Sequence, residues 1–169
     1  MSAMHVVVMG VSGCGKSAVA ARLATALGLP LIEGDNFHPP GNIDKMQQGV
    51  ALTDGDRAGW LAVLARELSR HPAGAVLTCS ALKRSYRDSL RAAAPGLRFV
   101  QLALTERDAL RRVAGRSDHF YPPSLVASQF EVLEDPAKEA GVIVVDALLP
   151  LSRVAETALE ALRRGFNNP

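Results

Sequence analysis

Cysteine is scarce in this sequence: two in 169 residues, Cys14 and Cys79, without disulfide or zinc spacing. The fold is therefore not stapled by bridges, and the chain suits a reducing compartment. Charge of one sign is lacking too. A net charge of +2, spread evenly along the chain, is too weak to argue for nucleic acid or an anionic membrane as partner. No apolar run is long enough to cross a bilayer. Met1 to Gly10 has no basic leader and turns into glycines before a signal-like apolar run could finish. The four histidines include no pair at metal-ligand spacing, so histidine metal binding has no support. No repeat, low-complexity tract or linker divides the chain. What remains is an ordinary globular composition, 48% hydrophobic and 21% charged, in a length that one core stabilises without disulfides or metals. The expectation is a cytoplasmic protein with one domain over residues 1–169.

Short apolar runs alternate with amphipathic stretches. Val6 to Met9, Leu31-Ile32, Val76 to Thr78, Phe99 to Leu102 and Val142 to Val145 read as strands. Their continuous apolar character means that both faces are covered, as in a parallel sheet between helical layers. Thr53-Asp54-Gly55-Asp56 has the pattern of a capping box, followed by Trp60, Leu61, Leu64 and Leu68 at helical spacing. Thr105 to Asp108 repeats the start signal, and the last helix carries Val154, Ala158, Leu159 and Leu162 on one side. The class is α/β.

The strongest motif is Gly10-Val11-Ser12-Gly13-Cys14-Gly15-Lys16-Ser17, which meets G-x-x-x-x-G-K-[ST] at every fixed position. It follows an apolar strand and precedes a run of helix formers, Ala18 to Leu27, so the loop opens onto a helix N-terminus. Glycines there let successive N–H groups face one anion, and the helix dipole reinforces them. Lys16 adds a charge at the β- and γ-phosphates, and Ser17 offers a hydroxyl to Mg²⁺. These residues predict an ATP site. Cys14 fills a variable position of the loop, as a small side chain or, at a helix N-terminus, as an oxidisable thiol.

A nucleotide loop does not say what receives the phosphoryl group. The segment Glu33 to Met46 gathers Asp35, Asn36, His38, Asn42, Asp44 and Lys45 at the carboxyl end of the second strand, where open α/β sheets bind ligands. Here the pattern G-D-x-x-H-P-x-x-N-x-x-K-M at 34–46 and L-T-D-G-D-R-x-x-W-L at 52–61 resembles the gluconokinase family of P-loop kinases. So does Cys79-Ser80-Ala81-Leu82-Lys83-Arg84-Ser85-Tyr86-Arg87-Asp88, and so do His119-Phe120, Ser128-Gln129-Phe130 and Leu133-Glu134. The motifs keep their order over nearly the whole chain.

The resemblance implies a three-layer P-loop fold like that of nucleoside-monophosphate kinases, with a five-stranded parallel sheet and a small helical lid. It implies ATP as donor, D-gluconate as acceptor and 6-phosphogluconate as product, with a homodimer as one expected assembly. Asp35 would orient the attacking hydroxyl or take its proton, or hold Mg²⁺ through water. Gluconate carries hydroxyls along its length and a carboxylate far from the reacting 6-OH, so one cation should anchor it. Lys45, Arg57, Lys83, Arg84 and Arg87 are available; the arginines suit a planar carboxylate, and their ranking stays open. His38, His119 and Gln129 complete the expected acceptor contacts about residues 34–60. His5 and His71 are read as structural.

Arg107 to Pro123 reads as a lid that excludes water from the reaction. Arg112 and Arg116 are i and i+4, on one helix face, and the resemblance would bring Arg112 toward adenine and Arg116 to the transferring phosphoryl group. The third strand ends Leu77-Thr78-Cys79-Ser80 without the acidic residue that usually supports Mg²⁺ in P-loop proteins, and no N-K-x-D guanine signature is present. Asp35 is expected to substitute. Two other readings stand beside this one: a kinase of the same fold for shikimate or a nucleoside monophosphate, and a nucleotide-driven switch without an acceptor.

Overall fold

A computed structural model describes residues 3–115 and 122–165 of the chain. Five strands form one parallel sheet: β1 (Met4–Met9), β2 (Leu31–Glu33), β3 (Gly74–Thr78), β4 (Arg98–Ala103) and β5 (Val142–Asp146), in the order β2-β3-β1-β4-β5. All five coincide with the apolar runs of the sequence. The central strand pairs on both sides, Val7 with Leu77 and with Phe99. The chain moves to one edge after β1 and crosses to the other side after β3, so the end of β1 is the point where the winding reverses and where ligands gather in such sheets.

Successive strand residues face opposite sides. Val6 and Val8 of β1, with Val76, Val100 and Leu102, meet α1 (Lys16–Leu27) and α7 (Leu151–Arg164) through Val19, Leu23, Val154 and Leu162. Val7 and Met9, with Leu77 and Phe99, meet α3 (Asp54–Ser69) and α4 (Arg84–Ala93) through Trp60, Leu64, Leu68 and Leu90. Val113 of α5 (Glu106–Ala114) and Val126 of α6 (Ser124–Val132) extend this second core. A 3-10 turn, Gly34–Phe37, and α2 (Pro40–Gln47) connect β2 to α3.

Helix α3 starts where its sequence signal lies. Thr53 accepts from the Asp56 N–H (3.1 Å), and the Asp56 carboxylate accepts from the Thr53 N–H (2.9 Å), a reciprocal capping box. Among the described residues, no helix is long and apolar enough to cross a membrane.

Candidate active site

The phosphate loop runs from the end of β1 into α1. Gly15 caps α1 with a φ of +95°, a left-handed conformation that costs glycine little. Lys16 folds over the loop, its Nζ donating to the carbonyls of Gly10 (3.0 Å) and Val11 (3.2 Å). The loop borders a cleft of about 260 Å³ lined also by Asp35, His38, Met46, Leu52, Arg57, Trp60, Ser80 and Gln129. Residues from four separate parts of the chain therefore face one space at the carboxyl ends of β1, β2 and β3.

One wall is the turn after β2. The chain can pass there because residue 34 is glycine: a Cβ on it would sit 2.1 Å from the Thr78 carbonyl oxygen. The Trp60 indole N–H donates to the Gly34 carbonyl (2.8 Å), and its ring stacks on His38 at 4.1 Å and 16°. Asn42 meets the same ring at its edge. Its Nδ2 donates to the Asp56 carbonyl (3.0 Å) and lies 3.2 Å from His38 Nδ1. An amide N–H₂ can only donate, so Nδ1 accepts and the His38 proton is on Nε2, which lies 3.6 Å from the Asp35 carboxylate. The Asp35 side chain is 71% exposed and lines the cleft.

Glu33 is the carboxylate that sequence reasoning missed. Its Oε2 accepts from the Ser17 hydroxyl (3.0 Å) and from the Thr78 hydroxyl (2.9 Å), while Thr78 accepts the Gly34 N–H (3.0 Å). A carboxylate from the neighbouring strand β2 thus reaches the end of β3 through Thr78. The signal was present: Glu33 lies two residues before Asp35 at the strand end. Ser17, Glu33 and Asp35 offer oxygen donors, the ligand type a hard cation such as Mg²⁺ takes.

The five cations separate sharply. Lys45 donates to Asp56 (2.7 Å), a bond that, with the Thr53 N–H, holds that carboxyl at about 2. Lys83 donates to Asp54 (2.9 Å); the Tyr86 hydroxyl also donates to Asp54 and is the larger cause of its lowered pKa. Arg84 and Arg87, expected at the acceptor, are not in the cleft. The Arg84 side chain is 68% exposed and pairs with Asp88 on its own helix. The Arg87 side chain is fully buried on the far side of the β3–α4 loop and paired with Glu139. Only Arg57, among these five, is buried, lines the cleft and makes no ion pair with a carboxylate among the described residues. Its guanidinium lies 5.6 Å from the Tyr86 ring centroid, a cation–π contact that stands in for an anionic partner.

Gln129 was expected at the acceptor. It lines the cleft, and its Oε1 accepts the Ser12 N–H of the phosphate loop (2.6 Å). Arg112 donates to the carbonyls of Gly13 and Cys14 (both 3.2 Å) and of Ala147 (2.6 Å). It borders a smaller pocket behind the phosphate loop with Ala18, Val19, Leu149 and Val154. Arg116 and His119 lie outside the described residues. Cys14 and Cys79 are both buried, and burial pushes the Cys79 thiol up to about 12. His5 and His71 are structural neighbours, the His5 ring 2.7 Å from the His71 carbonyl oxygen.

Residues 6–138 match the AAA domain family. The chain is 46% identical to a gluconokinase of Gluconobacter oxydans over 163 residues, covering 95% of this chain and 89% of that protein. It belongs to the gluconokinase family. The thermoresistant gluconokinase of Escherichia coli is 40% identical, with 94% of this chain and 93% of that one covered. A crystal structure of a gluconokinase from Sinorhizobium meliloti superposes with a TM-score of 0.89 at 49% identity, over 95% of this chain and 92% of that one. The gluconokinase relationship thus covers both the phosphate loop and the segment after β2 that walls the cleft.

Proposed function

We propose that the chain transfers the γ-phosphoryl group of Mg·ATP to the 6-hydroxyl of D-gluconate, giving 6-phospho-D-gluconate and ADP. The observation that carries this reading is Arg57, a cation 6% exposed that faces the cleft without a carboxylate partner among the described residues. Burying a charge is costly unless it is paired, so the cleft is built for an anionic acceptor, and the forked donors of arginine match a carboxylate.

The phosphate loop from Gly10 to Ser17 holds the nucleotide phosphates, with Lys16 turning from its own loop carbonyls to the β- and γ-oxygens. Arg112 and the pocket beside it take the base. Asp35 orients the acceptor hydroxyl and accepts its proton as oxygen attacks the γ-phosphorus and the bond to the β,γ-bridging oxygen breaks; such positioned bases contribute about 10²–10⁴-fold. His38 presents its Nε2–H to Asp35 and the acceptor, held by Trp60 and Asn42. Bound Mg²⁺ neutralises charge on the phosphates, and Ser17 with Glu33 is the oxygen set that would hold it, directly or through water. A cytoplasmic setting supplies the ATP and keeps Cys14 and Cys79 reduced.

The test is coupled ADP release with Mg·ATP against D-gluconate, shikimate, AMP and neutral sugars, with NMR to locate the phosphate. Turnover with gluconate and phosphate on O6 is expected. Turnover with shikimate or AMP, or acceptor-independent hydrolysis alone, overturns the reading. Arg57→Met should lower kcat/KM for gluconate about 100-fold, the size of the charged hydrogen bonds lost, while KM for ATP stays within about twofold.

A further inference from the structure

Arg87 takes no part in the reading above, yet no other cation in the described residues is as fully engaged. A guanidinium has five N–H donors, and all are used. Nε donates to Glu139 Oε1 (3.0 Å), Nη2 to Glu139 Oε2 (2.5 Å) and to the Glu134 carbonyl (3.0 Å). Nη1 donates to the carbonyls of Ala81 (2.7 Å) and Leu82 (3.1 Å). The bonds join three segments: helix α4, the loop between β3 and α4, and the segment that leaves α6. Two further bonds tie those segments together, from the Glu134 N–H to the Leu82 carbonyl (2.8 Å) and from the Arg84 N–H to the Glu134 carboxylate (3.1 Å).

The loop it grips is the strained one. Ala81 has a φ of +47°, the only positive value at a non-glycine position among the described residues. Such a conformation persists only where its surroundings over-determine it. Arg87 supplies that determination by holding the carbonyls of residues 81 and 82, and the residue before them, Ser80, lines the cleft. Stability alone does not call for this arrangement, since a buried ion pair is often no better than apolar side chains of the same volume. What apolar side chains cannot do is fix the direction of two successive carbonyls.

We propose that Arg87 is a positioning residue for the acceptor: through the Ala81 and Leu82 carbonyls it sets where Ser80 stands in the cleft. The proposal rests on the acceptor reading above only for the identity of the acceptor. Lysine at this position keeps the charge but not the planar fork, so the loop would lose part of its hold while the charge pairing with Glu139 survives.

The experiment is a double-variant cycle with Arg87→Lys, Ser80→Ala and the two together, measured well below the melting temperature. KM and kcat are determined for gluconate and for ATP. Quenching of Trp60, the one tryptophan of the chain, gives gluconate binding independently of turnover. The expected result is a rise of about tenfold or more in gluconate KM and Kd for Arg87→Lys, ATP KM within twofold, and a double variant no worse than the worse single, the non-additivity of residues that act through one another. Gluconate constants within twofold of the parent protein, or effects of the two substitutions that multiply, overturn the proposal and leave Arg87 as a structural staple. If Arg87→Lys does not fold, Glu139→Gln takes its place in the cycle and the same two outcomes decide. Should the parent protein use another acceptor, the gluconokinase reading fails separately, and the cycle is read with that acceptor.

Discussion

At the scale of single residues, the site is a set of carboxylates and cations sorted by what each already touches. Asp54, Asp56 and Glu139 are occupied by Lys83, Lys45 and Arg87, so they organise structure. Glu33 touches the Ser17 hydroxyl of the phosphate loop and stands where a cation's oxygen shell would form. Glu33→Gln keeps the size and one oxygen that can still accept from both Ser17 and Thr78, but it removes the negative charge and one oxygen donor. It should raise the Mg²⁺ concentration for half-maximal turnover by about tenfold or more, as loss of an outer-shell partner commonly does. Titrating turnover with Mg²⁺ at saturating ATP checks this; an unchanged midpoint would reduce Glu33 to a packing role. The residue types at 33, 35 and 57 are plain in the sequence. Which of the cations is left for the acceptor was not, because partner choice depends on where α2, α3 and α4 lie against one another.

At the scale of elements, local signals were strong where the chain satisfies its own backbone. The Thr53 capping box, the apolar runs of all five strands and the glycine before α1 need only neighbours in sequence, and each appears where the sequence places it. Thr53→Ala removes the side chain that accepts the Asp56 N–H and should cost about 1 kcal/mol, lowering Tm by roughly 2–4 °C. Scanning calorimetry reads this directly. Because the first turn of α3 carries Arg57, gluconate KM should rise with it, whereas a change in Tm alone would uncouple the cap from the cleft. The α4 cations were misplaced for a physical reason. Arg84 and Arg87 are three apart at the start of one helix, and periodicity cannot say whether that face meets the cleft, solvent or, as for Arg87, the interior.

At the scale of the whole molecule, the segment after α6 is fastened to the body of the protein by charge. Arg87, and after it Arg91, holds the Glu139 carboxyl at about 2, below its ordinary 4.5. A carboxyl more acidic in the folded chain than in the unfolded one contributes stability that is fully present above pH 4.5 and is lost as pH falls through about 2. The difference in Tm between the parent protein and Glu139→Gln should therefore stay constant from neutral pH to about 5 and shrink below it. Thermal melts from pH 7 to pH 3 follow it, and a difference independent of pH over that range would show that the ion pair contributes nothing to the acid side of stability.

The sequence by itself determined the α/β class, the strands and their order along the chain, the phosphate loop and the gluconokinase relationship. All of these are written in local spacing: a strand needs an apolar run, a loop its glycines, a cap its threonine. Only the tertiary structure decided that Glu33 reaches Ser17, that Gln129 binds the phosphate loop at Ser12, and that Arg57 faces the cleft while Arg87 is buried behind it. These are contacts between residues 16 and 117 positions apart, or the outcome of which side of a helix the core claims, and both are settled by how the sheet and its helices pack together.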